Sequence, residues 1–199
     1  MILMNTGVLL EQMEATAEVA PKVELTPEKW VSEYGDAKII DTPLGGVIMG
    51  DNQYFKFLQK GRKGKSGMIR PTLTNPDIIL EDASKAKEGQ TTERNSSYVF
   101  VKAFSKEGSN RKYFFTSVTV KRGGKEVVIS NQEKSKNRLS KLLQNGNVAW
   151  INNKFSMHPI AQIQESVPEN DSNRPTISDN QSALLGINSS ELSIGKDTE

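Results

Sequence analysis

The side chains with the clearest chemical potential form a run of cations in the first half of the chain. No Asp or Glu occurs between Asp51 and Asp77, whereas that interval contains six basic residues: Lys56, Lys60, Arg62, Lys63, Lys65 and Arg70. Ammonium and guanidinium groups bind phosphate and stabilise the negative charge that develops on it during reaction. The run therefore indicates an anionic partner, although any single lysine of this kind can also be a solvated surface residue.

The charge distribution of the whole chain supports the same interpretation. The net charge is only +2, but residues 1–51 contain 3 basic and 9 acidic side chains, residues 52–141 contain 20 and 8, and residues 155–199 contain 2 and 7. A cationic centre between acidic ends favours an anionic ligand for the centre. Cysteine is absent, which excludes disulfides, thiolate zinc sites and cysteine nucleophiles.

Three alternating runs between Tyr98 and Asn131 predict the sheet that would position these cations. The runs are YVFVKAFSK, RKYFFTSVTVKR and KEVVISN, and the twin glycines Gly123 and Gly124 separate the last two as in a tight hairpin. In the first run an aliphatic face alternates with a face made of Phe100, Lys102 and Phe104. Such a face suits stacked bases and phosphates, but an edge-strand lysine that discourages aggregation would give the same pattern.

Helices are predicted on both sides of the three runs. One begins at Thr26-Pro27-Glu28 and ends at Gly35, a second carries Gln53 and Lys56 and is followed by the basic loop GRKGKSG, and a third is SKNRLSKLLQNG with Ser135 as its cap. A last strand is expected at Val148–Ile151. We expect a poorly ordered leader at 1–20, one folded domain at 21–155 and a disordered acidic tail at 156–199, because the tail has few apolar residues. No apolar run reaches the roughly 20 residues that span a bilayer, so no membrane partner is expected.

Four strings, taken in order, carry a resemblance to a known group: TPLGGVIMGDNQYFKFLQKGR, MIRPTLTNPDIILED, SYVFVKAF and VVISNQEKSKNRLSKLLQNGNVAWI. Over roughly residues 23–151 the chain resembles the phage-associated branch of the barnase, EndoU, colicin-type tRNase and RelE-like nucleases. The resemblance implies an α+β fold in which N-terminal helices pack on one face of an antiparallel sheet of four or five strands. It also implies a toxin-like, metal-independent endoribonuclease that needs no cofactor.

RNA cleavage without a metal requires deprotonation of the ribose 2′-OH, stabilisation of the phosphorane and protonation of the leaving 5′-oxygen. On the resemblance, the residues that could serve a RelE-like catalytic site are Lys56, Arg62, Arg70, Thr72, Lys102 and Ser130, and those that could bind substrate are Gln53, Lys60, Lys63, Lys65, Phe100, Phe104 and Asn131. A barnase-like site would need a glutamate and a histidine at the sheet. The sole histidine, His158, begins the predicted tail, and the sheet offers only Ser130-Asn131-Gln132 where many relatives carry a histidine.

The expected partners are RNA and, as a second candidate, an inhibitor or immunity protein. The expected location is the cytoplasm of the host cell of a phage or mobile element. The alternative function is a noncatalytic RNA- or protein-binding module of a larger phage protein, or a structural fragment of a polyprotein. Incubation with RNA in EDTA separates the enzyme from the binding module.

Overall fold

The structure is a computed structural model that describes residues 5–23, 25–59, 62–83 and 96–155. Within those ranges it contains five α-helices and eight β-strands: α1 (Thr6–Ala15), β1 (Glu18–Val19), α2 (Pro27–Tyr34), β2 (Ile40–Thr42), β3 (Gly45–Met49), α3 (Gln53–Gln59), α4 (Ile69–Thr74), β4 (Ile78–Asp82), β5 (Ser97–Ser105), β6 (Lys112–Arg122), β7 (Lys125–Lys134), α5 (Lys136–Asn145) and β8 (Asn147–Ile151). Short 3₁₀ helices occupy Lys63–Met68 and Asn153–Phe155. Lys60, His158 and the predicted tail at 156–199 lie outside the described residues.

All the described strands belong to one mixed sheet in the order β2-β3-β7-β6-β5-β4-β8, with β1 added alongside β5. The predicted three-run meander is confirmed as β5, β6 and β7, each antiparallel to the next. Gly123 and Gly124 close its second hairpin at φ 54° and 71°, a left-handed pair that matches the twist of the flanking strands.

The α+β class is confirmed, but the expected antiparallel sheet of four or five strands is wrong. β3 runs parallel to β7, β1 runs parallel to β5, and short strands extend the sheet on both sides of the meander. β2 and β3 form a short hairpin with each other, whereas the pairings of β1 with β5, of β3 with β7 and of β8 with β4 join segments far apart in the sequence, which local alternation does not indicate. The strand expected at Val148–Ile151 is confirmed as β8.

The sheet carries an apolar layer on each face. Helices α2, α3 and α4 cover one face, whose cluster includes Trp30, Phe57, Leu73, Phe100, Phe104 and Phe115. Helices α1 and α5 cover the other face, whose cluster includes Leu9, Met13, Val99, Val101, Ala103 and Leu139. The predicted alternation of β5 is confirmed, since its aliphatic and aromatic residues fall into different clusters. The resemblance implied that the N-terminal helices pack on one face, and this is wrong, because α1 packs on the opposite face from α2, α3 and α4.

The segment expected to be a poorly ordered leader contains α1, which packs on the sheet. The Asn5 side chain accepts a hydrogen bond of 2.9 Å from the Gly7 N–H and caps the helix. Leu9, Leu10 and Met13 are at most 2% exposed. This helix therefore belongs to the packed structure, and its three buried residues are too few to give a strong helical pattern in the sequence.

Candidate active site

The candidate site lies along residues 129–134 of β7, beyond the point where β3 stops. β3 pairs with β7 only as far as Val128, whose carbonyl accepts a hydrogen bond of 3.0 Å from the Gly50 N–H. The pairing of β7 with β6 shifts at the same place, between Val118 and Thr119, which makes Ile129 the extra residue of a β-bulge. Bulges re-aim the groups that follow them. The outer carbonyls of β7 after Val128 therefore need donors other than β3.

Side chains from α3 and the residues after it supply those donors. Gln53 Nε2 and Lys56 Nζ donate to the Ile129 carbonyl at 2.7 and 3.1 Å. Arg62 Nη1 donates to the Asn131 carbonyl at 3.0 Å. Three predicted site residues thus donate hydrogen bonds to alternate carbonyls of one strand. More than sixty residues of sequence separate each donor from its acceptor.

The next alternate position on β7 is Glu133, which forms ion pairs. Lys65 Nζ lies 2.5 Å from Glu133 Oε2, and Arg111 Nη2 lies 3.9 Å from Glu133 Oε1. The Glu133 side chain keeps 27% of its surface exposed, so it is held by cations without being sealed from ligands. A carboxylate in this setting can accept a proton beside groups that bind phosphate.

Glu133 lies in a cavity of about 430 Å³. The lining contains six basic and two acidic side chains, a formal charge of +4, together with Tyr113, Phe114 and Ser135. The basic residues are Arg62, Lys65, Arg111, Lys112, Lys134 and Lys136, and the acidic ones are Glu14 and Glu133. Such a concave cationic surface attracts the phosphates of a nucleic acid.

Tyr113 adds a protonated phenol to this cavity. Its ring stacks on the buried Phe104 ring with centroids 6.4 Å apart and 30° between the planes. Burial, and then the charge of Glu133, raise the pKa of the Tyr113 phenol, while Arg111 opposes them. The phenol therefore keeps its proton at neutral pH and can donate it in a hydrogen bond.

Two predicted substrate-binding residues lie beneath the site instead of in it. Gln53 and Asn131 are both 2% exposed. Asn131 Oδ1 accepts a hydrogen bond of 2.7 Å from Ser117 Oγ, and Asn131 Nδ2 donates to Gln53 Oε1 at 3.2 Å. This buried network joins α3 to the centre of the sheet, so both residues position the site and do not contact substrate.

The predicted aromatic and cationic face of β5 is also closed to substrate. Phe100 and Phe104 are 1% and 0% exposed because α2, α3 and α4 cover that face, so they cannot stack on bases. Lys102 is 0% exposed, and its Nζ donates to Glu18 Oε1 and to the Asn75 carbonyl, both at 2.8 Å. The assignment of these three side chains to the site is wrong for the same reason.

The remaining predicted residues lie away from the cavity. Thr72 is 0% exposed and donates to the Met68 carbonyl at 2.7 Å within its own helical turn, so it cannot bind phosphate. Arg70 is exposed on α4, Lys63 is exposed on the 3₁₀ helix, and Ser130 is half-buried on β7; none of the three lines the cavity. Of the predicted set, Arg62 and Lys65 are the cavity residues.

A family model described as phage-Barnase-EndoU-ColicinE5/D-RelE like nuclease2 matches residues 29–150. The chain belongs to this nuclease family. The resemblance found in the sequence is thereby confirmed. The match begins within α2 and ends within β8, so all the described cavity residues except Glu14 lie inside it. No curated protein and no solved structure gives a significant match.

Sequence reasoning missed most of the side chains that line the cavity of this nuclease, Glu133 above all. The third run was expected to end at Asn131, whereas β7 continues to Lys134 and pairs Glu133 with Phe115 and Lys134 with Phe114. Extending the alternation by two residues would have placed Glu133 on the same face as Asn131. Arg111 and Tyr113, at the start of β6, offered no comparable signal, because only the pairing of β6 with β7 brings them to Glu133.

In the described part of the chain, no three His, Asp or Glu side chains gather closely enough to hold a metal ion. Among the helices of the same ranges, none is long and apolar enough to cross a bilayer.

Proposed function

We propose that this chain is a metal-independent endoribonuclease whose active site is the cationic cavity. The observation that carries the proposal is Glu133 Oε2 at 2.5 Å from Lys65 Nζ, inside a cavity lined by five further basic side chains. Family membership supports the nuclease role. The cavity supports RNA as substrate, because its residues match the three needs of 2′-OH attack: a base, cations and a proton donor.

In the proposed reaction Glu133 takes the proton of the ribose 2′-OH, and the 2′-oxygen forms a bond to phosphorus. Arg62 and Arg111 hold the oxygens of the phosphorane, whose charge the guanidinium groups stabilise in the way a metal ion does in other nucleases. The bond from phosphorus to the 5′-oxygen then breaks as Tyr113 donates its proton to that oxygen. The products are a 2′,3′-cyclic phosphate and a 5′-hydroxyl, and Glu133 returns its proton to Tyr113 through solvent.

The hydrogen bond of Arg62 to β7 supports this role. A guanidinium has five N–H donors, and its hydrogen bond to the Asn131 carbonyl uses one of them. That bond anchors the side chain at the edge of β7, where its other donors can serve a phosphate. Arg62 itself lies just before the 3₁₀ helix at Lys63–Met68, but the carbonyl that holds it belongs to the sheet, whose positions are better fixed than those of loops.

The test is cleavage of an RNA oligonucleotide in EDTA, with the products separated and their ends identified. We expect a 2′,3′-cyclic phosphate, and no cleavage where the scissile nucleotide is 2′-deoxy. Glu133→Gln should lower kcat by about 10²–10⁴-fold, the usual contribution of a general base, while RNA affinity changes little. Glu126→Gln is the matched control, because Glu126 is on the same strand but does not line the cavity. Its Oε2 accepts a hydrogen bond of 2.9 Å from Thr119 Oγ1.

Four results would contradict the proposal. Cleavage of the 2′-deoxy oligonucleotide would exclude 2′-OH attack, activity only after Mg²⁺ is added would exclude metal independence, and RNA binding without any cleavage would support the noncatalytic binding module. Equal activity of Glu133→Gln and Glu126→Gln would remove Glu133 from the reaction.

We further propose that the enzyme acts on RNA of the host cytoplasm in a toxin-like manner, with an inhibitor or immunity protein as its control. The cationic cavity would accept acidic side chains of such an inhibitor as it accepts phosphates. Expression of the wild type should stop growth of a bacterial host, and Glu133→Gln should relieve the arrest at equal protein level. Growth arrest by both proteins alike would refute the toxin-like role.

A further inference from the structure

One residue of the cavity lining comes from a part of the chain that precedes the family match. Glu14, on α1, lines the cavity, and its Oε2 lies 2.6 Å from Lys136 Nζ at the start of α5. The family match begins at residue 29, so α1 and β1 lie before it. A carboxylate from outside the matched range is therefore paired with one of the cations of the cavity.

The position of Glu14 is fixed by contacts on both sides of it. Leu9, Leu10 and Met13 bury α1 against the sheet at 0–2% exposure. After α1, Glu18 pairs with the buried ammonium of Lys102 at 2.8 Å. These contacts hold α1 against the sheet independently of the Glu14–Lys136 pair, so Glu14 is presented to the cavity even when Lys136 binds something else.

We infer that Glu14 is an intramolecular anion that competes with RNA phosphate for Lys136; the inference rests on the proposed function in taking the cavity as the RNA site. A carboxylate and a phosphate accept the same charge-assisted hydrogen bond from an ammonium group. The side chains of Glu14 and Lys136 are 26% and 45% exposed, so the pair is weak enough for a phosphate to displace it. RNA must therefore displace Glu14 from Lys136 before Lys136 contributes to binding.

Glu14 and Glu133 therefore have different roles, although both are carboxylates of the same cavity. Glu133 lies on the central sheet between Lys65 and Arg111, where a base is needed. Among the ion pairs described, Glu14 contacts Lys136 alone, and its charge lowers the positive potential of the cavity. Its effect falls on affinity and product release, and not on the bond-breaking step.

The experiment measures binding of a short 2′-deoxy-substituted oligonucleotide, which cannot be cleaved by 2′-OH attack, by fluorescence anisotropy over a range of salt concentrations. Glu14→Gln should bind about three- to tenfold more tightly than the wild type at low salt. The slope of log K against log salt should steepen by about 0.7, as expected for one more phosphate contact with a single strand. Glu11→Gln is the matched control, because Glu11 is exposed on the same helix and does not line the cavity.

A double substitution tests whether the effect passes through Lys136. Lys136→Gln should weaken binding, and adding Glu14→Gln to it should give a clearly smaller gain than in the wild-type background, because only the field of the carboxylate on the other cations is then removed. Unchanged or weaker binding by Glu14→Gln, an equal gain from Glu11→Gln, a full gain in the Lys136→Gln background, or no binding by the wild type would each overturn the inference. Because no cleavage is measured, a wild type that binds but does not cleave in EDTA would refute the proposed function and leave this inference standing.

Discussion

Replacing Lys102 tests whether its ammonium group serves the reaction or the fold. Lys102 is 0% exposed and has two partners at 2.8 Å, Glu18 Oε1 and the Asn75 carbonyl. In Lys102→Met an apolar chain of similar length replaces the ammonium, which removes its desolvation cost together with both bonds. Replacing a whole buried ion pair by apolar residues is often close to neutral. Glu18 is half exposed and can be hydrated, but the Asn75 carbonyl loses a donor, so we expect a loss of at most about 2 kcal/mol in the free energy of unfolding.

Removing the exposed partner should cost more than removing the buried one. Glu18→Ala leaves the ammonium of Lys102 buried with only the Asn75 carbonyl. Breaking a fully buried pair in this way costs about 3–5 kcal/mol, and the half exposure of Glu18 reduces the expected value to about 1.5–3 kcal/mol. For a domain of this size that corresponds to a fall in Tm of about 3–12 °C.

The assay is thermal and urea unfolding of both variants, followed by circular dichroism, with RNA cleavage measured well below either Tm. Lys102→Met should cleave within about twofold of the wild type, since Lys102 does not line the cavity. A loss of cleavage of tenfold or more in a folded Lys102→Met protein would make Lys102 catalytic and refute this reasoning. A larger destabilisation by Lys102→Met than by Glu18→Ala would refute the argument about the ion pair.

Three further predictions concern the buried network, the cavity and alkaline stability. Gln53→Ala should lower the free energy of unfolding by about 1–3 kcal/mol in urea titrations, because the Asn131 amide loses its buried acceptor; an unchanged midpoint would exclude the network as a support. Lys65→Gln should reduce the slope of log K against log salt for RNA binding by about 0.7, because one phosphate contact is lost. Lys63 is exposed outside the cavity, so Lys63→Gln should leave the slope unchanged, and equal slopes for the two variants would remove Lys65 from the phosphate site. Burial raises the pKa of Tyr34 well above its usual value, so the phenol keeps its proton in the folded state and ionises in the unfolded state at alkaline pH. The free energy of unfolding should therefore fall as pH rises above about 10, by up to about 1.4 kcal/mol per pH unit. In urea titrations Tyr34→Phe should flatten that fall.

The features that the sequence predicted correctly depend on residues close together in the chain. Thr26 and Ser135 were expected to cap helices, and their hydroxyl oxygens accept from the Lys29 and Arg138 N–H groups at 3.3 and 3.4 Å. The hairpin at Gly123 and Gly124 likewise follows from local backbone preference. Each of these signals spans only a few residues, so nothing distant in the fold can override it easily.

The features that the sequence did not predict depend on pairing between distant segments. Alternation in β5 shows which side chains share a face of the sheet, but it does not show that α2, α3 and α4 cover the face that carries the aromatic residues. Phe100 and Lys102 were assigned to the site for that reason, although both are buried. The contact between Lys65 and Glu133 joins residues 68 positions apart. Such a geometry leaves no periodic trace in either segment.

The open edge of β7 explains why cations gather at this place in the fold. An unpaired strand edge presents carbonyl groups that must find donors, and a neighbouring strand would supply one backbone N–H for each and nothing more. Lys56 and Arg62 satisfy the same carbonyls with side chains that carry several N–H groups and a full charge. Arg62 therefore reaches the cavity with its position fixed by the sheet and with donors to spare. The early end of β3 and the bulge at Ile129 thus leave part of the β7 edge without a neighbouring strand, and cationic side chains take its place.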